Sequence, residues 1–132
     1  MAPQNDARAI HDLPPLKWDV KLRQYAQRYA RKRKEDCALV HSHGPYGENI
    51  FWGSGTSWKP VQAAVMWVDE RNDYNHTTDT CTEGKECGHY TQIVWKNTER
   101  IGCARVVCLH GKGIFMTCNY DPPGNYMGKR PY

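Results

Sequence analysis

The chain has 132 residues, 39% of them hydrophobic, and a net charge of +4. That length suits one domain with a real core and is too short for two. No run approaches the ~20 apolar residues that span a bilayer, and the polar opening lacks the apolar core of a secretory leader, so the expected form is a mature chain from which the leader is gone.

LPPLKWD (13–19) reads as extended or turn, because a residue before proline is pushed away from helix. From Trp18 the pattern becomes helical. Trp18, Leu22, Tyr25, Ala26 and Tyr29 recur at spacings of three and four, predicting a helix over about 19–35. Its outer face carries Lys21, Arg23, Arg28, Arg31, Lys32, Arg33 and Lys34 with no acid among them. That segment is +7, leaving 11 bases against 14 acids elsewhere, a net of −3. Such a face suits anionic lipid, acidic glycan or nucleic acid, but no nucleic-acid module accompanies it; a solvated helix face is the simpler expectation. Residues 42–60 are rich in Gly and Pro and read as one long loop. PVQAAVMWVDER predicts a second helix over about 60–72, opened by Pro60. It is apolar nearly all round and is therefore expected to be buried. HYTQIVWKN (89–97) alternates with period two and reads as a strand. IGCARVVCL (101–109) and GIFMTCNY (113–120) read as two strands of a hairpin around HGKG. Helices first and strands later point to α+β, with helices covering an antiparallel sheet.

Six cysteines stand at 37, 81, 87, 103, 108 and 118 with no C-x-x-C pair. Their spacing suits three disulfides rather than zinc, and so an oxidising compartment. A turn centred between His110 and Gly111 places Cys103 opposite Cys118. Cys108 lies five residues from Cys103 and so points to the other face. Cys81 and Cys87 can close a local loop, which leaves Cys37 for Cys108. Asn75-His76-Thr77 is a glycosylation sequon, compatible with secretion.

Four side chains stand out for chemistry. His41 and Glu48 flank the glycine-rich stretch HSHGPYGENIFW, Glu70 ends the apolar helix, and His89 follows the short cysteine loop. Two imidazoles and two carboxylates, if brought together, suit a divalent cation such as Zn²⁺, acid–base chemistry or a polar ligand. Spacing alone implies no more than hydrogen-bonded loop and helix-end residues. There is no G-x-S-x-G, H-E-x-x-H, P-loop or G-x-G-x-x-G. With every cysteine paired, no thiol is left as a nucleophile. Ser42 beside His41 is only a sequence neighbour.

HSHGPYGENI, MWVDERNDYN, CGHYTQIVWKNTERIGC and CNYDPPGNYMGKRPY resemble the pathogenesis-related 1 group of the CAP superfamily, which also holds cysteine-rich secretory proteins and insect venom antigen 5. The resemblance runs from about Leu16 to Tyr132. It implies a single domain over 1–132 with a three-layer α-β-α sandwich. It implies that His41, Glu48, Glu70 and His89 line one cleft, with His41 and His89 able to hold Zn²⁺ weakly and His43 left at the surface. It implies a secreted, apoplastic defence protein without catalysis, acting on fungi and oomycetes by binding sterols or membrane lipids. The alternative is a metal-dependent hydrolase using the same cleft. It also implies that residues 122–132 can be released, by a cut between Asp121 and Pro122, as a peptide for a receptor. Before Leu16, QNDARAIHDLPPL keeps only part of the group's first helix, so one side of the sandwich is expected to be less covered.

Overall fold

The computed structural model describes residues 1–132. The first helix forms despite its short pattern. α1 spans Ala2–Ile10, with a proline in its first turn and Gln4, Ala7 and Arg8 buried. Its anchor is a charge. The Arg8 guanidinium donates to the carbonyls of Pro14 (2.7 Å), Ile93 (2.9 Å), Trp95 (2.8 Å) and Thr98 (3.1 Å). A buried cation surrounded by carbonyls is tolerated because its donors are used. The expectation of poor cover on this side is therefore corrected: Arg8 ties α1 to the far half of the chain.

β1 (Lys17–Trp18) is a two-residue strand, and Trp18 lies in it rather than on the basic helix. α2 spans Val20–Arg33, capped by Asp19, whose side chain accepts the Leu22 amide at 3.0 Å. Leu22, Ala26 and Ala30 face inward. Lys21, Arg28, Arg31, Lys32 and Lys34 are exposed, and the basic last turn suits the helix dipole.

The 42–60 segment is not one loop. Gly47–Gly53 form β2, a strand of seven residues. The glycines hid an alternation in which Asn49 and Phe51 face one side and Glu48 and Ile50 the other. α3 spans Pro60–Asp69 and ends in a 3₁₀ turn over Glu70–Asp73. It buries Ala63, Ala64, Trp67 and Val68, while Val61, Val65 and Met66 are about half exposed. The expected all-round burial is wrong because an outer-layer helix buries one stripe only.

β3 (Tyr74–Asn75) and β4 (Thr80–Cys81) make a small separate ladder. The expected strand at 89–97 is instead α4, Gly88–Ile93, followed by turns. Tyr90, Ile93 and Val94 share the core, a three-and-four spacing that outranks the period-two alternation. β5 (Arg100–Val107) and β6 (Ile114–Asp121) form the hairpin, with Cys103 opposite Cys118.

The main sheet runs β1-β5-β6-β2, antiparallel except for β1 beside β5. One face carries Phe51, Ile101, Ile114, Met116 and Tyr120 against α1, α3 and α4. The other carries Ile50 and Phe115 against Ala30 of α2. This is a three-layer α-β-α sandwich. Disulfides join Cys37 to Cys108, Cys81 to Cys87 and Cys103 to Cys118, leaving no free cysteine. No helix is long and apolar enough to cross a membrane.

Candidate functional site: two histidine–glutamate pairs

Glu48 is the second residue of β2, and its side chain is only 6% exposed. A buried carboxylate needs donors, and four reach it. They are His41 Nδ1 (2.8 Å), the Ser42 amide (2.9 Å), the Ser42 hydroxyl (2.6 Å) and Asn119 Nδ2 (3.0 Å). Burial pushes the Glu48 pKa up. The bonds from Ser42, Asn119 and His41 together outweigh it, and the carboxyl sits below its ordinary value. Because a carboxylate only accepts, His41 Nδ1 carries the proton and Nε2 is left as the ring's ligand nitrogen. The Ser42 hydroxyl is engaged with Glu48 and with the Tyr25 hydroxyl (2.9 Å), not with an imidazole.

The second pair lies where α3 meets α4. His89 Nδ1 donates to Glu70 Oε2 at 2.6 Å, and the Tyr90 amide donates to Glu70 Oε1 at 3.0 Å. Glu70 thus serves a free amide in the first turn of α4 while orienting the imidazole. Trp67 stacks on His89, with ring centroids 5.8 Å apart and planes at 16°. Asn49 Nδ2 donates to the His89 carbonyl at 3.2 Å and to the Tyr120 hydroxyl at 3.0 Å. Adjacent residues of β2 therefore serve one pair each, Glu48 directly and Asn49 through the backbone.

The four residues meet as two pairs. His41 and Glu48 open on a cleft of about 210 Å³, shared with His43, Gln92 and Asn125. Gly47 lets the walls close: a Cβ there would lie 2.0 Å from Gln92 Oε1. The His43 backbone is left-handed, at φ 58°, and the residue is exposed. Three side chains that could together hold a metal are Glu70, Glu86 and His89, whose candidate ligand atoms lie within 4.8 Å of one another. One imidazole and two carboxylates suit Zn²⁺ or a similar divalent ion. Glu86 was missed from sequence. Its signal was its place in GKECGH, where the Cys81–Cys87 link folds it back toward Glu70.

The end of the chain is docked beside this region. The Asp121–Pro122 bond is cis, and Arg100 Nη2 donates to Asp121 Oδ2 at 2.6 Å. Thr98 donates to the Pro122 carbonyl (2.8 Å) and the Gly124 amide to Gln92 Oε1 (3.0 Å). Pro131 is buried and accepts the Lys96 amide at 2.7 Å. Tyr132 is stacked between His11 and His76, each 4.1 Å away by ring centroid.

A disulfide-braced α-β-α sandwich with two His–Glu pairs at one end of its sheet defines a class of small cysteine-rich domains. The chain belongs to the CAP family, described as the cysteine-rich secretory protein family, whose model matches residues 1–120. It is 62% identical over 132 residues to Pathogenesis-related protein PR-1 of Medicago truncatula, covering all of this chain and 76% of that protein. It is 50% identical to Pathogenesis-related protein 1 of Arabidopsis thaliana, covering 97% of this chain and 77% of that protein. Among solved structures, venom allergen-like protein 4 of Schistosoma mansoni matches with a TM-score of 0.74 and 28% identity, over 99% of this chain and 89% of that one. NaASP2 with Zn²⁺ matches at 0.73 and 27% identity, over 91% and 66%. The likeness thus extends through α1, ahead of Leu16.

Proposed function

We propose that this is a secreted plant defence protein that works by binding rather than by catalysis, taking up sterols from fungal or oomycete membranes. The observation that carries the defence role is the identity along the whole chain with pathogenesis-related proteins. Three disulfides support an oxidising, extracellular setting such as the apoplast. The sterol reading is supported by an apolar cavity of about 310 Å³ between α1, α3 and the sheet, with eight hydrophobic residues among twelve. The test is direct. Purified protein should bind sterol in solution and slow growth of a fungus or oomycete, with growth restored by added sterol. Inhibition that added sterol leaves unchanged would remove the sterol from the reading.

A metal-dependent hydrolase is the second reading, favoured by the Glu70, Glu86 and His89 group and by the Zn²⁺ that the NaASP2 structure carries. In this chain those three residues would hold the ion, which would supply a Lewis acid. Against catalysis, the Ser42 hydroxyl is bonded to carboxylate and phenol. Hydrolysis of ester or peptide probes by wild type, lost in His89→Ala, would favour this reading. The 122–132 segment is further proposed as a releasable signal. A cut after Asp121 leaves it held by the Thr98, Gln92 and Lys96 bonds and by the Tyr132 stack, so release requires undocking as well as cleavage.

A further inference from the structure

We infer that the outward face of α2 is a docking surface for a linear acidic polysaccharide, a polyuronate whose carboxylates meet Lys21, Arg28, Arg31 and Lys32. This face belongs to the layer opposite α1, α3 and α4. It is independent of the sterol and of the metal, and takes from the proposed function only the extracellular setting.

The face is defined by what the helix buries. Leu22, Ala26 and Ala30 point into the sheet. That leaves Lys21, Gln24, Arg28 and Arg31 exposed at spacings of three and four, with Lys32 beside them. At a rise of about 1.5 Å per residue the cations form a row about 16 Å long. No carboxylate is within ion-pair distance of Lys21, Arg28, Arg31, Lys32 or Lys34; the one ion pair of the segment joins Arg33 to Asp36 at 3.7 Å. A solvated helix face gains from acids one turn away from its bases. Here like charges stand one turn apart, Arg28 with Arg31 and Lys32, and Arg31 with Lys34, which is unfavourable. The helix dipole accounts for the basic last turn and for nothing before it. Lys21 stands in the first turn, at the positive end. An extended polyanion relieves this repulsion along the whole row.

The side chains select the kind of polyanion. Arg28 and Arg31 present planar forks that match a carboxylate, and Gln24 offers an amide to sugar hydroxyls. A membrane suits the face less well. A helix that lies in lipid turns an apolar face outward, whereas α2 turns its own into the sheet. Val20, 55% exposed, is its one exposed apolar side chain. Leu39 and Val40 are also exposed, but they follow the helix, beside Tyr29, whose hydroxyl donates to the Val40 carbonyl. The fit is to a polar polymer with a carboxylate on each sugar.

The experiment compares probes and variants of the full chain at neutral pH, where uronates are charged. Polygalacturonate, its methyl ester, and vesicles of phosphatidylcholine and phosphatidylserine in equal parts are titrated into three proteins. These are wild type, Arg28→Gln/Arg31→Gln/Lys32→Gln, and Lys17→Gln/Lys85→Gln/Lys96→Gln, whose three exposed lysines lie elsewhere. Each variant removes three positive charges and so lowers the net charge from +4 to +1. Wild type should bind polygalacturonate, and the α2 variant at least about tenfold more weakly, the worth of three exposed ion pairs. The lysine variant should stay within about twofold of wild type, because distant exposed charges are screened beyond ~8 Å at physiological ionic strength. In wild type alone, polygalacturonate should slow acetylation of Lys21, Lys32 and Lys34 severalfold and leave Lys85 unchanged, a result that decides the question if the α2 variant fails to fold. Equal losses in the two variants would reduce the effect to net charge and overturn the inference. So would methyl ester bound as tightly as polygalacturonate, or no binding of polygalacturonate by wild type. Vesicles bound more tightly than polygalacturonate through the same residues would make the face a membrane surface and overturn it too.

Discussion

At the scale of single residues, the site is decided by which donors reach which carboxylate. Glu48 accepts four hydrogen bonds and is held below its ordinary pKa of 4.5. A depressed folded-state pKa contributes stability above the unfolded value, lost as pH falls through the folded one. Glu48→Gln removes the charge and turns one acceptor into a donor facing donors. We expect a loss of about 2 kcal/mol at neutral pH, fading below pH 4.5, read by denaturant midpoints across pH. Metal ligation separates two residue sets. If Glu70, Glu86 and His89 hold the ion, His89→Ala abolishes Zn²⁺ binding, Glu86→Gln weakens it about tenfold, and His41→Ala leaves it near wild type by calorimetry. Loss in His41→Ala equal to that in His89→Ala would restore the two-histidine site expected from sequence. His41, Glu48, Glu70 and His89 were all legible in the chain as chemistry. Their partition into two pairs was not, because it depends on Asn49, which sequence places in a loop, and on Asn119, which it marks only as a polar strand residue.

At the scale of elements, local pattern was read well where the neighbours agree with it. The β5–β6 register follows from the turn at HGKG, and the Cys103–Cys118 link follows from the register. It failed where tertiary contacts overrule a short motif. Residues 89–95 alternate as a strand would, but Cys87 is tied to Cys81 and Glu70 takes the Tyr90 amide, so a six-residue helix is held at its first turn. β2 was lost among glycines for the same reason: its pairing partner, β6, lies some 70 residues on. The Cys37–Cys108 link joins α2's end to the far edge of the hairpin across 71 residues. A loop that long restricts the unfolded chain strongly. Cys37→Ala/Cys108→Ala should therefore lose about 4 kcal/mol by urea denaturation. A loss under 1 kcal/mol would mean that packing of Ile50, Phe115 and Ala30 holds this layer unaided.

At the scale of the whole molecule, the two ends of the chain meet, and pH acts on their contact. Tyr132 lies between the rings of His11 and His76, and His76 Nε2 is 2.6 Å from the Tyr132 carbonyl oxygen. His11 Nε2 is 3.2 Å from the Tyr90 hydroxyl. Burial lowers the His11 pKa from its ordinary 6.5, the neighbouring His76 lowers it further, and Asp12 opposes both. The folded state thus favours the neutral ring. Its contribution is full above pH 6.5 and is lost as pH falls through the depressed folded value, since the unfolded chain then binds more protons. Arg71 lines the same pocket and Arg130 faces Tyr74, so a charged His11 ring meets these cations with Asp12 as its opposing charge. Acidification should loosen the tail before the sandwich unfolds, because Pro131 and Tyr132 lie outside the sheet. Protection factors of the amides in residues 126–132, corrected for the slower intrinsic exchange at acid pH, are expected to fall severalfold between pH 7 and pH 5 while β5 and β6 stay protected. His11→Phe keeps the stack and removes the charge, and should flatten that response. If the tail of His11→Phe loosens with acid as wild type does, His11 is not the switch.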